Sequence, residues 1–322
     1  MTLRVGQAGL GGWGTNLARN FADLADLAWL TDPADGKREA FTSRYPQARW
    51  AASFDEMLGD PALDAVVIAT PVPTHYELAK QALEAGKHVF VEKPPAMKAA
   101  EIDELVAIAE ERDLVLMPGH LLLYHPGVRK LKELVDSGEL GEVLYIYGNR
   151  VNLGVIRAHE NALWSLGVHD LSVILYLLDE DPDVALAHGR DCLQPGVQDV
   201  VFCYLRFPSG KVAHMHLSWL DPHKMRKMTV VGREKMAVLD DMELERKITV
   251  YEKFPWQQTD GGWQTRTGDI HIPRIATDEP LKLECREFLR LVGGEGDRRQ
   301  VARDGARVVR ALDMLTTSLN AS

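Results

Sequence analysis

The sequence predicts a two-domain α/β protein, with a doubly wound parallel sheet followed by an α+β domain that has an open, mostly antiparallel sheet. The 322 residues exceed the roughly 250–300 at which single cores usually stop growing. From Leu3 to about Gly119, short apolar runs alternate with amphipathic stretches, and beyond Tyr124 strand-like segments follow one another. We therefore expect domains at residues 1–122 and 123–322.

The first half reads as alternating strands and helices. The strand-like runs are LRVGQAGL, LAWLTD, LDAVVIAT, KHVFVEK and LVLMPGH, and helical periodicity appears in TNLARNFADL, YELAKQALEAG and AAEIDELVAIAEERD. Such alternation is typical of βαβ units with right-handed crossovers, which form a parallel sheet covered on both faces. Ligands of such sheets bind at the carboxyl ends of the strands.

The second half reads as helices, then strands, then helices. After PGVRKLKELVDSG and ENALWSLGVHDLSVILYLL come strand-like segments such as GEVLYIYGNRV, DVVFCYLRF, GKVAHMHLSWL, KMTVVG and ITVYEKF, and the tail EPLKLECREFLRLVGG and RRQVARDGARVVRALDMLTTSLN is helical. An open antiparallel sheet can leave one face uncovered. Large uncovered apolar faces usually mark subunit contacts, so we expect a homodimer or homotetramer.

Composition and charge exclude several classes of protein. The chain is 46% hydrophobic and 26% charged, which is ordinary for a globular protein. A net charge of −10 argues against nucleic acid or an anionic membrane as a partner. We see neither a membrane-length apolar run nor a basic signal-peptide region, and expect a cytoplasmic protein. The three cysteines are widely spaced and are expected to be buried free thiols.

A glycine-rich turn follows the first predicted strand. In AGLGGWG, Gly9, Gly11 and Gly14 have the G-x-G-x-x-G spacing, directly after a strand and directly before a helix. These glycines allow a tight turn, close approach of the backbone to a pyrophosphate, and close packing of helix on strand. With Gly12 and Trp13, which lie between them, they are the candidate residues for binding a dinucleotide at a helix amino end.

An acidic residue follows at the expected distance. Asp32 ends LAWLTD, where a carboxylate accepts hydrogen bonds from adenosine ribose hydroxyls and repels a 2′-phosphate. We therefore expect NAD rather than NADP. Lys37 and Arg38 offer charges that suit a 2′-phosphate, but they also read as solvated residues of the next helix.

Two further strands end in polar residues at the same predicted sheet edge. Thr70, Pro71 and His75 follow the run VVIA, and Glu92 and Lys93 follow the run KHVFV. Their position at the carboxyl edge makes them candidate cofactor contacts. His75 also reads as a residue that packs at the start of the next helix, and Lys93 as a surface lysine paired with Glu92.

The motifs together resemble the Gfo/Idh/MocA oxidoreductase family. They are the glycine fingerprint, A-T-P-x-x-x-H, E-K-P and a G-x-H-D helix near the middle of the chain. The resemblance implies an N-terminal Rossmann domain, a nicotinamide cofactor and a sugar or polyol substrate. It also implies that Lys93 is the catalytic lysine, that Pro94 forms a cis bond, and that His169 is the general acid/base, a role that suits its ordinary pKa near 6.5.

One position departs from the family pattern. Many relatives have an aspartate four residues before the histidine, where this chain has Ser165. A Lys-Asp-His relay is therefore not expected. Ser165 remains a candidate for bridging Lys93 to His169, directly or through water. Asp170 points elsewhere on a helix and is expected to orient a neighbouring group or contact the substrate.

The remaining candidates for substrate binding surround the histidine helix in sequence. Arg157 and Asn161 precede that helix, and Tyr124 lies in GHLLLYHPGVRK. These segments resemble the branch of the family that acts on nucleotide-activated sugars such as UDP-N-acetylhexosamines and their uronates, and a guanidinium suits phosphate or carboxylate. His214 and His216 share a strand face without an evident third ligand, so we expect no metal site.

Two other functions are compatible with the sequence. Free polyol, inositol or aldose dehydrogenases belong to the same family, although relatives that oxidise polyols often have an arginine where this chain has LLLYHP. The serine at position 165 also motivates the hypothesis of a sensor that binds NAD without catalysis.

Overall fold

The computed structural model describes residues 2–34, 36–158 and 160–321. The chain divides into two compact units. One comprises Met1–Tyr124 with Asp278–Arg310, and the other comprises His125–Thr277 with Ala311–Ser322.

The first unit is built on a six-stranded sheet in the order β3-β2-β1-β4-β5-β6, in which all neighbouring strands are parallel. Its strands are β1 Arg4–Ala8, β2 Asp26–Thr31, β3 Arg49–Trp50, β4 Ala65–Ile68, β5 His88–Glu92 and β6 Leu116–Gly119. Its helices are α1 Gly12–Leu24, α2 Lys37–Arg44, α3 Phe54–Leu58, α4 His75–Glu84, α5 Ala99–Glu111 and α8 Pro280–Val292. The predicted doubly wound sheet is confirmed. The strand order reverses between β1 and β4, so a ligand crevice is expected outside their carboxyl ends.

Residues 278–310 pack on this first sheet, whereas the sequence placed them in the second domain. Leu281, Cys285 and Phe288 form an apolar stripe on α8 at helical spacing and are buried. The ring of Phe288 packs edge-to-face on Phe21 and Phe90, with centroids 6.0 and 5.7 Å away. Aromatic packing from a distant segment thus completes one face of the sheet.

The second unit is an eight-stranded sheet in the order β14-β13-β12-β11-β7-β10-β9-β8, antiparallel except for the β10–β7 pair. Its strands are β7 Val143–Val151, β8 Val184–Arg190, β9 Val200–Arg206, β10 Val212–Ser218, β11 Met225–Gly232, β12 Met236–Asp240, β13 Ile248–Gln257 and β14 Trp263–His271. Its helices are α6 Pro126–Asp136 and α7 Val168–Leu178. Helix α9 Arg298–Ala321 belongs to the first unit up to Arg310 and to the second from Ala311.

The second sheet has one buried and one exposed face. On β9, Val201, Cys203 and Leu205 are buried, and Phe202 and Tyr204 between them are exposed. This alternation follows from the period of two residues in a strand. The mostly antiparallel, open sheet expected from the sequence is confirmed.

The cysteines are all free, but they differ in exposure. Cys203 and Cys285 are buried as expected, whereas Cys192 is exposed in the turn after β8. Within the ranges that the structure describes, no helix combines the length and the apolar character needed to cross a membrane.

Candidate active site

The glycine loop between β1 and α1 depends on two close backbone approaches. Gly9 has a φ of +89°, and a Cβ there would lie 2.4 Å from the carbonyl oxygen of Ala69. A Cβ on Gly14 would lie 2.2 Å from the carbonyl oxygen of Gly9. Both positions therefore require glycine, the first for its conformation and both for packing.

Gly11 and Gly12 have a different environment. Both are exposed, and a Cβ on either would meet no described atom within 4 Å. Helix α1 begins at Gly12 with Gly11 as its N-cap, and no side chain of the described residues caps that end. The first-turn N–H groups are consequently available to an anionic ligand, as a dinucleotide pyrophosphate requires.

A cleft of about 690 Å³ opens at this edge of the first sheet. Its walls come from the loops after β1, β2 and β4 and from the start of α3, and they include Gly9, Gly11, Gly12, Trp13, Gly14, Asp32, Lys37, Ser53, Thr70, Pro71 and Thr74. The glycine loop, the acid and the β4 loop that the sequence singled out therefore surround one cleft. Its size is in the range of cofactor sites.

Asp32 connects two walls of the cleft. Its Oδ2 accepts a hydrogen bond from the Leu10 amide at 2.6 Å, and its Oδ1 accepts one from the Ala34 amide at 2.8 Å. Each carboxylate oxygen has a further lone pair that a ribose hydroxyl can use. The side chain thus fixes the glycine loop and presents negative charge, which fits NAD.

Beyond this cleft, the loop after β4 contacts the loop that contains Lys93. Thr70 and Pro71 line the cleft, whereas His75, Glu92 and Lys93 are not among its lining residues in the described part of the chain. His75 is 1% exposed, and its two ring nitrogens lie 2.8 Å from the carbonyl oxygens of Pro94 and Thr70.

Lys93 follows directly after β5 and is half-buried. The Lys93–Pro94 bond is cis, as the resemblance implied. The preceding residue, Glu92, accepts a hydrogen bond at Oε1 from the Trp13 indole nitrogen, 2.5 Å away. Both chain neighbours of Lys93 thus contact residues in the first turns of helices of the first unit, Glu92 at α1 and Pro94 at α4.

Two titratable groups beside Lys93 have shifted pKa values. Burial raises the pKa of Glu92 to about 7, against the opposing effects of the Lys93 charge and the Trp13 hydrogen bond. Burial, and then the positive charge of Lys93, lower the pKa of His120 to about 4. The site therefore contains a neutral histidine and a carboxyl that titrates near neutrality.

His169 is the second residue of α7 in the second unit. Nine of the eleven residues of α7 are buried, while His169 and Tyr176 are half-buried. The helix is fixed in the core by its apolar residues. His169 thus keeps partial access on a rigid element.

A π-helical turn, Leu163–Gly167, directly precedes α7. Ser165 lies in this turn, is buried, and its Oγ accepts a hydrogen bond from the Trp219 indole nitrogen at 3.2 Å. Ser165 and His169 therefore lie on either side of the junction where the π turn changes to the regular α-helix. Neither the π turn nor the Trp219 contact was predicted from the sequence, because no local pattern of residues indicates them.

Asp170 is held from a neighbouring strand. Its Oδ1 accepts a hydrogen bond from Arg150 Nε on β7 at 2.8 Å, and Arg150 Nη2 lies 2.7 Å from the same oxygen in an ion pair. Both side chains are almost fully buried, and Asp170 Oδ2 receives no hydrogen bond from any described residue. Arg150 was not predicted as a site residue from the sequence. Its position in the mostly apolar strand GEVLYIYGNRV was the one sequence feature that indicated a buried charge.

The loop before the π turn contains the other substrate candidates of this unit. Arg157 is exposed, and its Nη1 lies 2.7 Å from Glu160 Oε1. Asn161 donates from Nδ2 to Gln198 Oε1 at 2.9 Å and accepts at Oδ1 from the Trp164 amide at 3.2 Å. Tyr124 belongs to the first unit, where it packs against the core of the sheet.

Comparison with known proteins adds two family matches. The model of the GFO/IDH/MocA oxidoreductase family with an NAD-binding Rossmann fold matches residues 3–120, and the model of the GFO/IDH/MocA C-terminal domain matches residues 128–238.

Individual relatives differ in what they act on. The chain is 29% identical over 247 residues to an NAD-dependent scyllo-inositol 2-dehydrogenase of Bacillus subtilis, covering 72% of each chain. It is 28% identical over 239 residues to the UDP-N-acetylglucosamine 3-dehydrogenase of Acidithiobacillus ferrooxidans, covering 74% of each. A solved structure of the latter superimposes with a TM-score of 0.83 at 25% identity, covering 100% of this chain and 99% of the other.

Proposed function

Because the chain belongs to the Gfo/Idh/MocA family of NAD-binding oxidoreductases, we propose that it interconverts a ring hydroxyl of a nucleotide-activated sugar and the corresponding ketone. UDP-N-acetylhexosamines and their uronates are the proposed substrates. The observation that carries the proposal is that Glu92, next to Lys93, is bonded to Trp13 in the wall of the cofactor cleft. This contact next to Lys93 supports the proposal that the lysine acts beside the cofactor site.

The glycine loop and Asp32 hold the NAD molecule in this proposal. The open backbone at Gly11 and Gly12 fits the pyrophosphate, and the Asp32 carboxylate fits the adenosine ribose. Bound nicotinamide supplies the carbon that accepts or returns the hydride. The chain itself then has to position the substrate and move one proton.

Lys93 and His169 divide that work. The Lys93 ammonium donates a hydrogen bond to the reacting oxygen and stabilises negative charge that develops there. His169 takes the proton from the reacting hydroxyl while the hydride leaves the carbon that bears this hydroxyl. General acid/base catalysis of this kind contributes about 10²–10⁴-fold to the rate. Ser165 is bonded to Trp219, so we assign it a supporting role at the start of the helix. Asp170 orients that helix through Arg150.

Substrate selection is assigned to the loop before α7 and to Tyr124. The exposed guanidinium of Arg157 suits a diphosphate or uronate carboxylate, and the Glu160 contact limits its motion. Asn161, held by Gln198, offers a fixed amide close to the helix that contains His169. Similarity to the UDP-N-acetylglucosamine 3-dehydrogenase, in sequence as well as in structure, supports this substrate class.

A free polyol is the second candidate substrate, favoured by the 29% identity to the scyllo-inositol dehydrogenase. A panel of UDP-sugars, dTDP-sugars, free hexoses and inositols, assayed with NAD for absorbance of reduced nicotinamide, separates the two classes. Turnover of one nucleotide sugar supports the proposal. Turnover restricted to inositols or aldoses overturns the substrate class, and NAD binding without isotope transfer to or from any sugar indicates a sensor.

We further propose that the exposed face of the second sheet binds a second copy of the chain. Phe202, Leu186 and Tyr204 are 54%, 48% and 40% exposed there. The rings of Phe202 and His216 stack at 4.6 Å, and those of Tyr147 and His214 at 5.2 Å. Exposed apolar patches of this kind usually mark interfaces.

Light scattering at micromolar protein tests the assembly. A dimeric or tetrameric mass that falls to the monomer in Phe202→Asp supports the proposal, with Leu244→Asp, at an exposed position of the turn after β12, as the control. A monomeric mass for the unmodified protein contradicts it.

A further inference from the structure

His75 lies at the carboxyl edge of the first sheet, yet its side chain is buried. It is the first residue of α4 and is 1% exposed. Its Nδ1 lies 2.8 Å from the Pro94 carbonyl oxygen, and its Nε2 lies 2.8 Å from the Thr70 carbonyl oxygen. The imidazole therefore bridges the backbone of two loops that are far apart in sequence.

The chemistry of this bridge is specific to histidine. A carbonyl oxygen only accepts, so both contacts are hydrogen bonds at once only in the doubly protonated ring. In a neutral ring one nitrogen donates to its carbonyl, and the other nitrogen has no hydrogen to donate. Imidazole places two potential donors on opposite sides of a rigid ring, whereas a glutamine amide has both donors on one nitrogen. Glutamine can consequently reproduce one of the two contacts, and leucine neither.

The two bridged loops have different tasks. Thr70 lines the cofactor cleft, and Pro94 directly follows Lys93. On the other side of Lys93, Glu92 is bonded to Trp13, which also lines the cleft. Both chain neighbours of Lys93 are thus connected to walls of the cofactor cleft, one of them through His75.

We propose that His75 is a positioning residue for Lys93, because its ring fixes the Pro94 carbonyl against the loop that lines the cofactor cleft. This inference rests on the proposed catalytic role of Lys93. His75 itself touches neither the cleft nor the reacting atoms in this account. Small displacements of a catalytic group lower turnover steeply, by about 10²-fold for about 1 Å.

The test compares His75→Leu and His75→Gln with Glu77→Gln, a control at an exposed position of the same helix. We expect kcat to fall by roughly 10- to 100-fold in His75→Leu and by less in His75→Gln, while the Kd for NAD changes by less than about threefold. A residue that only stabilises the fold would instead lower thermal stability and NAD affinity together and leave the kcat of the folded fraction unchanged. Either that pattern or an unchanged kcat overturns the proposal.

Hydrogen exchange gives a readout that needs no substrate. In His75→Leu with NAD bound, the amides of Lys93, Ala96 and Met97 are expected to exchange faster than in the unmodified protein, and those of β6 are expected to keep their rates. Equal exchange in the Lys93 loop overturns the positioning role. Faster exchange in a protein that turns over no sugar would contradict the proposed function alone and leave the bridge intact.

Discussion

Trp13 and Glu92 are 79 residues apart in the chain and are joined by a 2.5 Å hydrogen bond from the indole nitrogen to the carboxylate. Trp13 lies in the first turn of α1, directly after the glycine loop, and Glu92 directly precedes Lys93. Glu92 also has a pKa raised to about 7, chiefly by burial. The bond therefore joins a residue that lines the cofactor cleft to a carboxyl whose pKa is raised.

Removing the indole donor tests this coupling. A hydrogen bond to the charged form of an acid lowers its pKa, so Trp13→Phe is expected to raise the pKa of Glu92 further. We expect Glu92 to contribute an inflection near pH 7 to the pH profile of kcat. That contribution should move to higher pH in Trp13→Phe and be lost in Glu92→Gln. Trp263→Phe, at an exposed position of β14, is the control. An inflection at the same pH in Trp13→Phe and Glu92→Gln would contradict the assignment.

The glycines of the loop are expected to separate into two classes. Gly14→Ala should lower the melting temperature, because its Cβ would overlap the Gly9 carbonyl. A Cβ at position 11 meets no described atom within 4 Å, so Gly11→Val should keep the melting temperature. It should raise the Kd for NAD by on the order of tenfold or more, because the side chain enters the proposed pyrophosphate position. Calorimetric unfolding and NAD titration measure the two effects. Unchanged NAD affinity in Gly11→Val would place the pyrophosphate elsewhere.

The buried Arg150–Asp170 ion pair is expected to contribute to the free energy of unfolding. Arg150→Met leaves the buried Asp170 carboxylate without its cation, and breaking a buried ion pair in this way typically costs about 3–5 kcal/mol in the free energy of unfolding. The double variant with Asp170→Leu should recover much of that loss, since no charge then remains buried. Urea unfolding of Arg150→Met, Asp170→Leu and the double variant checks this. A loss of stability in the double variant equal to the sum of the two single losses would show that the two residues do not interact.

Glu284 is expected to make stability depend on pH. It is fully buried on α8, and neither carboxyl oxygen receives a hydrogen bond from a described residue. Burial, and then the nearby Glu92, raise its pKa well above the ordinary 4.5. Above pH 4.5 the unfolded chain releases this proton while the folded protein keeps it, so folding stability falls with rising pH by about 1.4 kcal/mol per pH unit until the folded pKa is reached.

Glu284→Gln removes this contribution. Its stability measured by urea unfolding should fall less than that of the unmodified protein between pH about 5 and about 8. Glu295→Gln, an exposed position after α8, should retain the original slope. Identical slopes for the unmodified protein and Glu284→Gln would mean that Glu284 ionises normally.

The sequence predicted the parts of this molecule that local patterns encode. The alternation of strand and helix, the glycine spacing and the position of Asp32 each result from backbone geometry over a few residues. The Trp13–Glu92 bond, the Arg150–Asp170 pair and the packing of Phe288 on the first sheet join distant segments. The π turn at Ser165 is a local exception to helical periodicity that the apolar pattern does not reveal.

Deuterium transfer from the reacting carbon of a turned-over sugar to NAD tests the central proposal most directly. The comparison uses the unmodified protein, Lys93→Met and His169→Ala, with Lys98→Met and His223→Ala as controls at side chains that are 73% and 82% exposed. We predict that both active-site variants bind NAD within about threefold of the original affinity and lose on the order of 10²–10⁴-fold in transfer rate, while both controls keep it. Transfer at the original rate in either Lys93→Met or His169→Ala would contradict the account.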